Sequence, residues 1–231
     1  MKILGIIPAR GGSKGLPRKN IKMLGDKPLL QYTSEVALES DKLDLVVLSS
    51  DDDEIIDIGK RLGLTIPFKR PQVLAEDNSS SLSVIKHVLN FYLDKNVHFD
   101  AICLLQVTSP FRTKEFLDKA IETFINNKSD SLVSVLEVPH EYNPHWTFKD
   151  NEKGLLDIST GDKNIISRRQ DLPKSYHRDG SIYITKTSVI LDENSLYGSS
   201  ISYIVSPKEY YVNIDTVKDW EKAENLLNNI S

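Results

Sequence analysis

Cysteine is almost missing from this chain. The single thiol, Cys103, has no partner for an internal disulfide, which fits a reducing compartment. Long apolar runs are missing too: none approaches the roughly 18 residues of a membrane span. Neither sign of charge dominates. Twenty-nine bases against 33 acids leave a net charge of −4, which argues against a protein whose whole surface grips nucleic acid and leaves room for a local basic pocket. The five histidines show no metal-ligand spacing, and there is no internal repeat or low-complexity stretch. The first residues, Met1 to Pro8, are too short for a signal peptide and run into a Gly-rich turn, so a mature cytoplasmic protein is expected. Asn78-Ser79-Ser80 matches a glycosylation sequon that has no meaning without secretion. What is present is the ordinary mixture of a globular domain, 39% apolar and 27% charged over 231 residues, enough chain for one domain with a substantial core.

Short apolar runs alternate with amphipathic stretches. Strands are expected at Ile3–Pro8, Leu45–Ser49, Thr65–Phe68, Ala101–Gln106 and Ser131–Val138. Helices are expected at Pro28–Ser40, Asp53–Gly63, Ser81–Leu93 and Lys114–Asn127. This alternation is the signature of an open α/β sheet with parallel strands. It fails between Pro139 and Arg178, a polar segment with Pro139, Pro144 and Pro173 that holds two short β-like pieces, Trp146–Lys149 and Leu155–Ile158. A structureless loop of that length is unusual in a compact domain, so residues 139–178 read as a small projecting subdomain, an oligomer contact or a lid. Strands at Ser181–Thr185, Ile201–Val205 and Tyr211–Ile214 and a helix over Thr216–Leu227 complete the pattern.

Ligands of open α/β sheets bind beyond the carboxyl ends of the strands. The first strand is followed by Ala9-Arg10-Gly11-Gly12-Ser13-Lys14-Gly15-Leu16-Pro17-Arg18-Lys19-Asn20. Three glycines let the backbone come close to a ligand, and four bases stand within ten residues of an otherwise acidic chain. This describes a polyphosphate cradle rather than a solvated basic turn. It is neither the P-loop G-x-x-x-x-G-K-[ST] nor the dinucleotide fingerprint G-x-G-x-x-G.

Five further segments stand in order along the chain. They are Arg70-Pro71-x-x-Leu74-Ala75-x-Asp77 with serines to Ser81, Leu105-Gln106-Val107-Thr108-Ser109-Pro110-Phe111-Arg112, Arg169-Gln170-Asp171-Leu172-Pro173, Asp179-Gly180-Ser181-Ile182-Tyr183 and Asn213-Ile214-Asp215-Thr216. With the stretch from Ile7 to Asn20, they resemble the motifs of the CMP-sialic acid synthetases, the acylneuraminate cytidylyltransferases. The resemblance implies a three-layer, Rossmann-like nucleotidyltransferase with a mostly parallel sheet. The whole chain, 1–231, would be one cytidylyltransferase domain carrying a dimerisation subdomain at 139–178, with no room for the extra C-terminal domain of some members. It implies that CTP and a nine-carbon α-keto sugar acid give a CMP-sugar and pyrophosphate, with Mg2+ as cofactor and a homodimer as the working form. Arg10, Lys14 and Lys19 would hold the phosphates, with Gly11, Gly12 and Ser13 in the same loop. Asn20, Arg70 and Ser81 would bind cytidine. Gln106, Arg178 and Tyr183 would meet the sugar acid, and Arg169 would reach the partner's site. The family often has its arginine one residue before Arg178, where this chain has His177. Asp215 would bind the metal with Asn213, which stands where the family usually has a second aspartate.

Several other residues have plainer readings. Asp51-Asp52-Asp53 fits the acidic start of a helix better than a metal cluster. Cys103, among apolar neighbours, reads as a small core residue rather than a nucleophile. His140, His145 and His177 line either a cleft or a surface of the insert, and Trp146 reads as interface packing. Arg112 is either a surface residue at a helix start or a substrate contact. Three functions remain in view: the CMP-nonulosonate synthetase, acting on sialate, legionaminate, pseudaminate or the deaminated sugar; the synthetase for CMP-3-deoxy-manno-octulosonate; and a catalytically idle nucleotide-binding homologue. Lys14-Gly15 favours the first over the second, whose loop reads I-P-A-R-x-x-S-x-R-L-P, and intact Arg10, Lys14 and Asp215 argue against the third.

Overall fold

Ile3, Leu4, Ile6 and Ile7 are each 0% exposed, so strand β1 (Ile3–Pro8) is covered on both faces, as its unbroken apolar run requires. The computed structural model, which describes residues 1–230, packs as two units. One comprises Met1–Ser134 and the chain from Asp179 onward; the other is Val135–Arg178.

In the first unit a tiny hairpin, β2 (Met23–Leu24) with β3 (Lys27–Pro28), precedes helix α1 (Leu29–Glu39). Strand β4 (Leu45–Ser49) and helix α2 (Asp53–Arg61) follow, then α3 (Ser81–Leu93), β5 (Ala101–Leu105) and α4 (Lys114–Asn127). Helix starts are chemically marked. Asp52, Ser80 and Thr113 each accept the backbone N–H three residues on, from Ile55, Ser83 and Phe116, and so satisfy a donor the helix itself leaves open. β1 pairs in parallel with β4 on one side and β5 on the other. α1 and α4 pack their apolar faces onto the sheet, with Leu29, Leu30, Leu117, Ile121 and Phe124 in one cluster with Ile3 and Ile7.

Strand β6 (Ser131–Glu137) runs to the boundary of the second unit, and β9 (Tyr176–Lys186) leads back from it. In the second unit β7 (Phe148–Asp150) pairs with β8 (Leu156–Ile158), the Trp146 indole donates to the carbonyl of Ile166 at 2.6 Å, and Asn143 donates to that of Pro173 at 2.9 Å. The chain then adds the short helix α5 (Thr187–Asp192), the edge strand β10 (Ile201–Val205) and helix α6 (Val217–Ile230). The sheet order is β10-β6-β9-β5-β1-β4.

One reversed strand accompanies the mostly parallel sheet, and two strand assignments are corrected. β9 is antiparallel to β5, from Ala101 opposite Lys186 to Leu105 opposite Ile182. The reason is connectivity: no crossover helix returns the chain to the amino end of the sheet between β6 and β9. Thr65–Phe68 is not a strand. Only Thr65 bridges to Val47, and Pro67 cannot donate to a ladder. Tyr211–Ile214 is not a strand either. Its alternation is real, with Val212 3% and Ile214 0% exposed, but both edges of β5 are already taken, and Ile214 donates only to the carbonyl of Thr108. Alternating burial there reports a loop laid on the core.

Candidate active site

The carboxyl ends of β1 and β5 open into one cavity of about 470 Å3, within the usual range for a small-molecule site. Arg10, Ser13, Lys14, Lys19, Asn20, Arg70, Ser81, Gln106 and Asp215 all line it, although they come from four separate stretches of chain. The loop after β1 is held from below. Ala9 donates to the Ser49 carbonyl at 3.0 Å, Gly11 donates to Asp51 Oδ1 at 3.1 Å, and the buried Asn20 amide donates to the Arg10 carbonyl at 2.9 Å. Arg70, 4% exposed, spends Nε on Ser49 Oγ at 3.0 Å and Nη2 on the Ser49 carbonyl. Burial pulls its pKa down to about 10, so it stays charged at neutral pH.

The cations of the loop are not free. Arg10 Nη2 lies 2.9 Å from Asp77 Oδ1, and Lys14 Nζ lies 2.5 Å from Asp77 Oδ2. The Lys14 hydrogen bond, ahead of the charges of Lys14 and Arg10, holds the Asp77 carboxyl below its ordinary range. Lys19 Nζ donates to the Ile214 carbonyl at 2.7 Å and to Asp215 Oδ1 at 2.9 Å, tying the first loop to the last. The same closure explains Gly15: a Cβ there would collide with the carbonyl oxygen of Asp215. Arg18 turns away, with positive φ of 57°, and pairs with Asp52 and Glu54 at the start of α2.

Other expected residues stand elsewhere. Gly11 and Gly12 shape the loop but do not line the cavity. Tyr183 is 6% exposed in mid-strand opposite Leu104, facing away from the cluster that holds Ile182 and Ile184, and it is not a wall of the cavity. Arg178 and Arg169 are exposed and belong to the second unit. Asn213 stands beside Asp215 and donates Nδ2 to Asp215 Oδ2 at 2.8 Å. Asp51, Asp52 and Asp53 bind Gly11, cap α2 and pair with Lys69, which accounts for all three without a metal. Cys103 is fully buried, and burial pushes its thiol up to about 12, too high for a nucleophile. Arg112 is neither at the surface nor in the cavity; it is buried behind Gln106. The partnership of Asp77 with Arg10 and Lys14 carries no sequence signal beyond the motif it ends.

The donor set can be tested against a divalent cation. Among the described residues no three His, Cys, Asp or Glu side chains cluster as a resident metal needs. Asp215 supplies one exposed carboxylate lining the cavity, with the amide of Asn213 donating to it. That fits a hard cation that arrives with phosphate oxygens and water and takes one or two protein ligands.

Asp77 stands between Arg10 and Lys14 and pairs with both, so it competes with any anion those two cations would bind. Asp77→Asn is therefore expected to tighten CTP binding by about two- to tenfold, the scale of two half-exposed ion pairs. Calorimetric titration with CTP checks this. Weaker binding would mean that Asp77 serves the bound nucleotide.

A sheet whose strand ends converge on a glycine-rich cationic cradle, closed by a carboxylate from a distant loop, defines a nucleotidyltransferase. Residues 4–230 match the model of the cytidylyltransferase family, and the chain belongs to that family. It is 39% identical over 226 residues to the pseudaminic acid cytidylyltransferase of Campylobacter jejuni, spanning 98% of this chain and 96% of that one. It is 33% identical over 229 residues to the CMP-N,N'-diacetyllegionaminic acid synthase of Legionella pneumophila, spanning 98% and 97%. An N-acylneuraminate cytidylyltransferase of Streptococcus agalactiae is 35% identical over 223 residues, 95% of this chain and 52% of that protein. A solved structure of CMP:2-keto-3-deoxy-manno-octonic acid synthetase complexed with CTP superposes with a TM-score of 0.73 over 100% of both chains, at 18% identity, which shows the shared fold alone. The likeness in sequence thus lies with enzymes of nonulosonic acids. Among the described residues no helix is long and apolar enough to cross a membrane.

Proposed function

We propose that this enzyme transfers CMP from CTP to a nonulosonic acid, with pseudaminic acid first among the candidates. The observation that carries the reading is the convergence of Arg10, Lys14, Lys19 and Asp215 on one cavity whose far wall is Gln106. The anomeric hydroxyl oxygen of the sugar acid attacks the α-phosphorus of CTP. The bond from that phosphorus to the bridging oxygen breaks, pyrophosphate leaves, and the hydroxyl proton is released. Arg10, Lys14 and Lys19 bind the departing phosphates as their charge grows, and Asn20, Arg70 and Ser81 form the cytidine side. Gln106 faces the sugar. Asp215, assisted by Asn213, would hold Mg2+, which supplies charge neutralisation at the phosphates.

The sugar acid and CTP are both anions, so further cations at the mouth favour their encounter. Arg178 is the candidate for the sugar carboxylate and Arg169 for a contribution from a second copy. The second unit leaves Tyr142, Leu155 and Leu156 more than 60% exposed, at 70%, 63% and 67%, a surface that suits a two-fold dimer. In a mixture of inactive Lys14→Ala and Arg169→Ala proteins, part of the activity is expected to return, because a hybrid dimer holds one site with both residues. Two variants that stay inactive together would place Arg169 in its own subunit's site.

Pyrophosphate release with CTP and a panel of pseudaminic, legionaminic, N-acetylneuraminic and 3-deoxy-manno-octulosonic acids tests the substrate. Turnover highest with pseudaminic acid is the expected result. Preference for 3-deoxy-manno-octulosonate would overturn the reading.

A further inference from the structure

Arg112 is 6% exposed, and its fork joins the segment after β5 to strand β9. Nε donates to Ser181 Oγ at 3.1 Å, and Nη2 donates to the carbonyls of Ser181 at 2.6 Å and Gln106 at 3.2 Å. The Asp179-Gly180-Ser181 stretch of β9 is therefore tied to the end of β5. Gly180, with a positive φ of 84°, lies against the catalytic wall: a Cβ there would stand 3.9 Å from Gln106 Oε1 and 3.7 Å from Asn213 Oδ1. Asp179, 3% exposed, fixes the other side of the stretch, accepting from Ser134 Oγ at 2.5 Å, from the Ser181 N–H at 2.9 Å and from Ser206 Oγ.

Burying a guanidinium is costly, and two carbonyls do not require a cation to bridge them. What the fork adds is a fixed distance, since its donors lie in one rigid plane. One nitrogen, Nη1, has no protein partner, and neither does the buried Ser109 hydroxyl. Both residues line a second cavity of about 120 Å3, with Phe111, Phe116, Tyr211 and Val212 among its walls.

We propose that Arg112 is a positioning residue for the sugar-acid half of the site, setting the spacing between Gln106 and the Gly180 stretch, and that the second cavity gives access to it. The inference rests on the function proposed above. Arg112→Lys keeps the charge and loses the fork. kcat/KM for the sugar acid is expected to fall on the order of 10- to 100-fold while KM for CTP stays within about twofold. Amide exchange should quicken over residues 104–110 and 178–182 and stay unchanged over 9–20. In Arg112→Ala, ethylguanidinium at sub-denaturing concentration should restore part of the sugar-acid kcat/KM, and ethylamine should not.

Equal losses toward both substrates, or exchange that quickens throughout in step with a lowered Tm, would overturn the proposal and leave Arg112 a fold residue. Should Arg112→Ala fail to fold, the KM split and exchange pattern of Arg112→Lys decide. Wild-type enzyme that uses no nonulosonic acid would defeat the proposed function instead, and the exchange pattern would still decide the coupling of the two segments.

Discussion

Lys19→Ala is expected to lower turnover with CTP by on the order of a thousandfold, more than any other single change in the glycine-rich loop. Lys14 pairs with Asp77 but its side chain is 81% exposed, whereas the Lys19 side chain is 13% exposed and ties the first loop to the last. Its ammonium holds both the Ile214 carbonyl and Asp215 Oδ1. Alanine there would remove a cation from the proposed phosphate site and also release Asp215, the carboxylate proposed for the metal. Two losses from one substitution make the effect large, and they belong mainly to kcat, because charge builds on the leaving phosphates only as the bond breaks. Steady-state kinetics at saturating CTP and sugar acid measures this. A fall of less than about tenfold would show that Lys19 acts mainly as a strut.

Asp215→Asn is expected to cost about a hundredfold or more at limiting magnesium, with part of the loss recovered as the metal concentration rises. Asn213 already stands where the second carboxylate of the resembling family would be, so the substitution leaves no anionic ligand in the motif. The unsubstituted protein should accordingly bind Mg2+ weakly until CTP is present. Titration with magnesium, with and without nucleotide, alongside activity at each concentration, checks both points. Full activity of Asp215→Asn at low magnesium would remove Asp215 from the metal site.

The sheet core was legible in the sequence because its cause is local. The apolar run of β1, and the amphipathic spacing of α3 between a serine cap and its last leucine, need no knowledge of the rest of the chain. The place of loop 9–20 on the cavity was legible for a similar reason, since ligand sites of open α/β sheets lie beyond the strand ends. Tyr211–Ile214 misled because alternation records burial, while a strand also needs a free edge, and the edges of β5 were occupied by residues far away in sequence. The reversal of β9 was hidden in the same way: direction depends on where the connection returns, and an insert reveals nothing of that.

Within the site, types of side chain were readable and pairings were not. Lys19 shows no sign in the sequence of its contact with Asp215, nor does Asp77 of its place between Arg10 and Lys14. Arg112, beside a predicted helix start, had two ordinary readings, and burial under Gln106 was neither of them. Long-range partners of charged groups are set by tertiary closure, which leaves no local pattern.

The most direct test of the central claim is to supply CTP labelled in turn at the α- and γ-phosphate, together with pseudaminic acid and magnesium, and to identify the products by mass. The α-label is expected in a CMP-sugar, linked through the anomeric oxygen, and the γ-label in pyrophosphate, in equal amounts. Label released as free CMP, or as inorganic phosphate with no sugar product, would contradict the account.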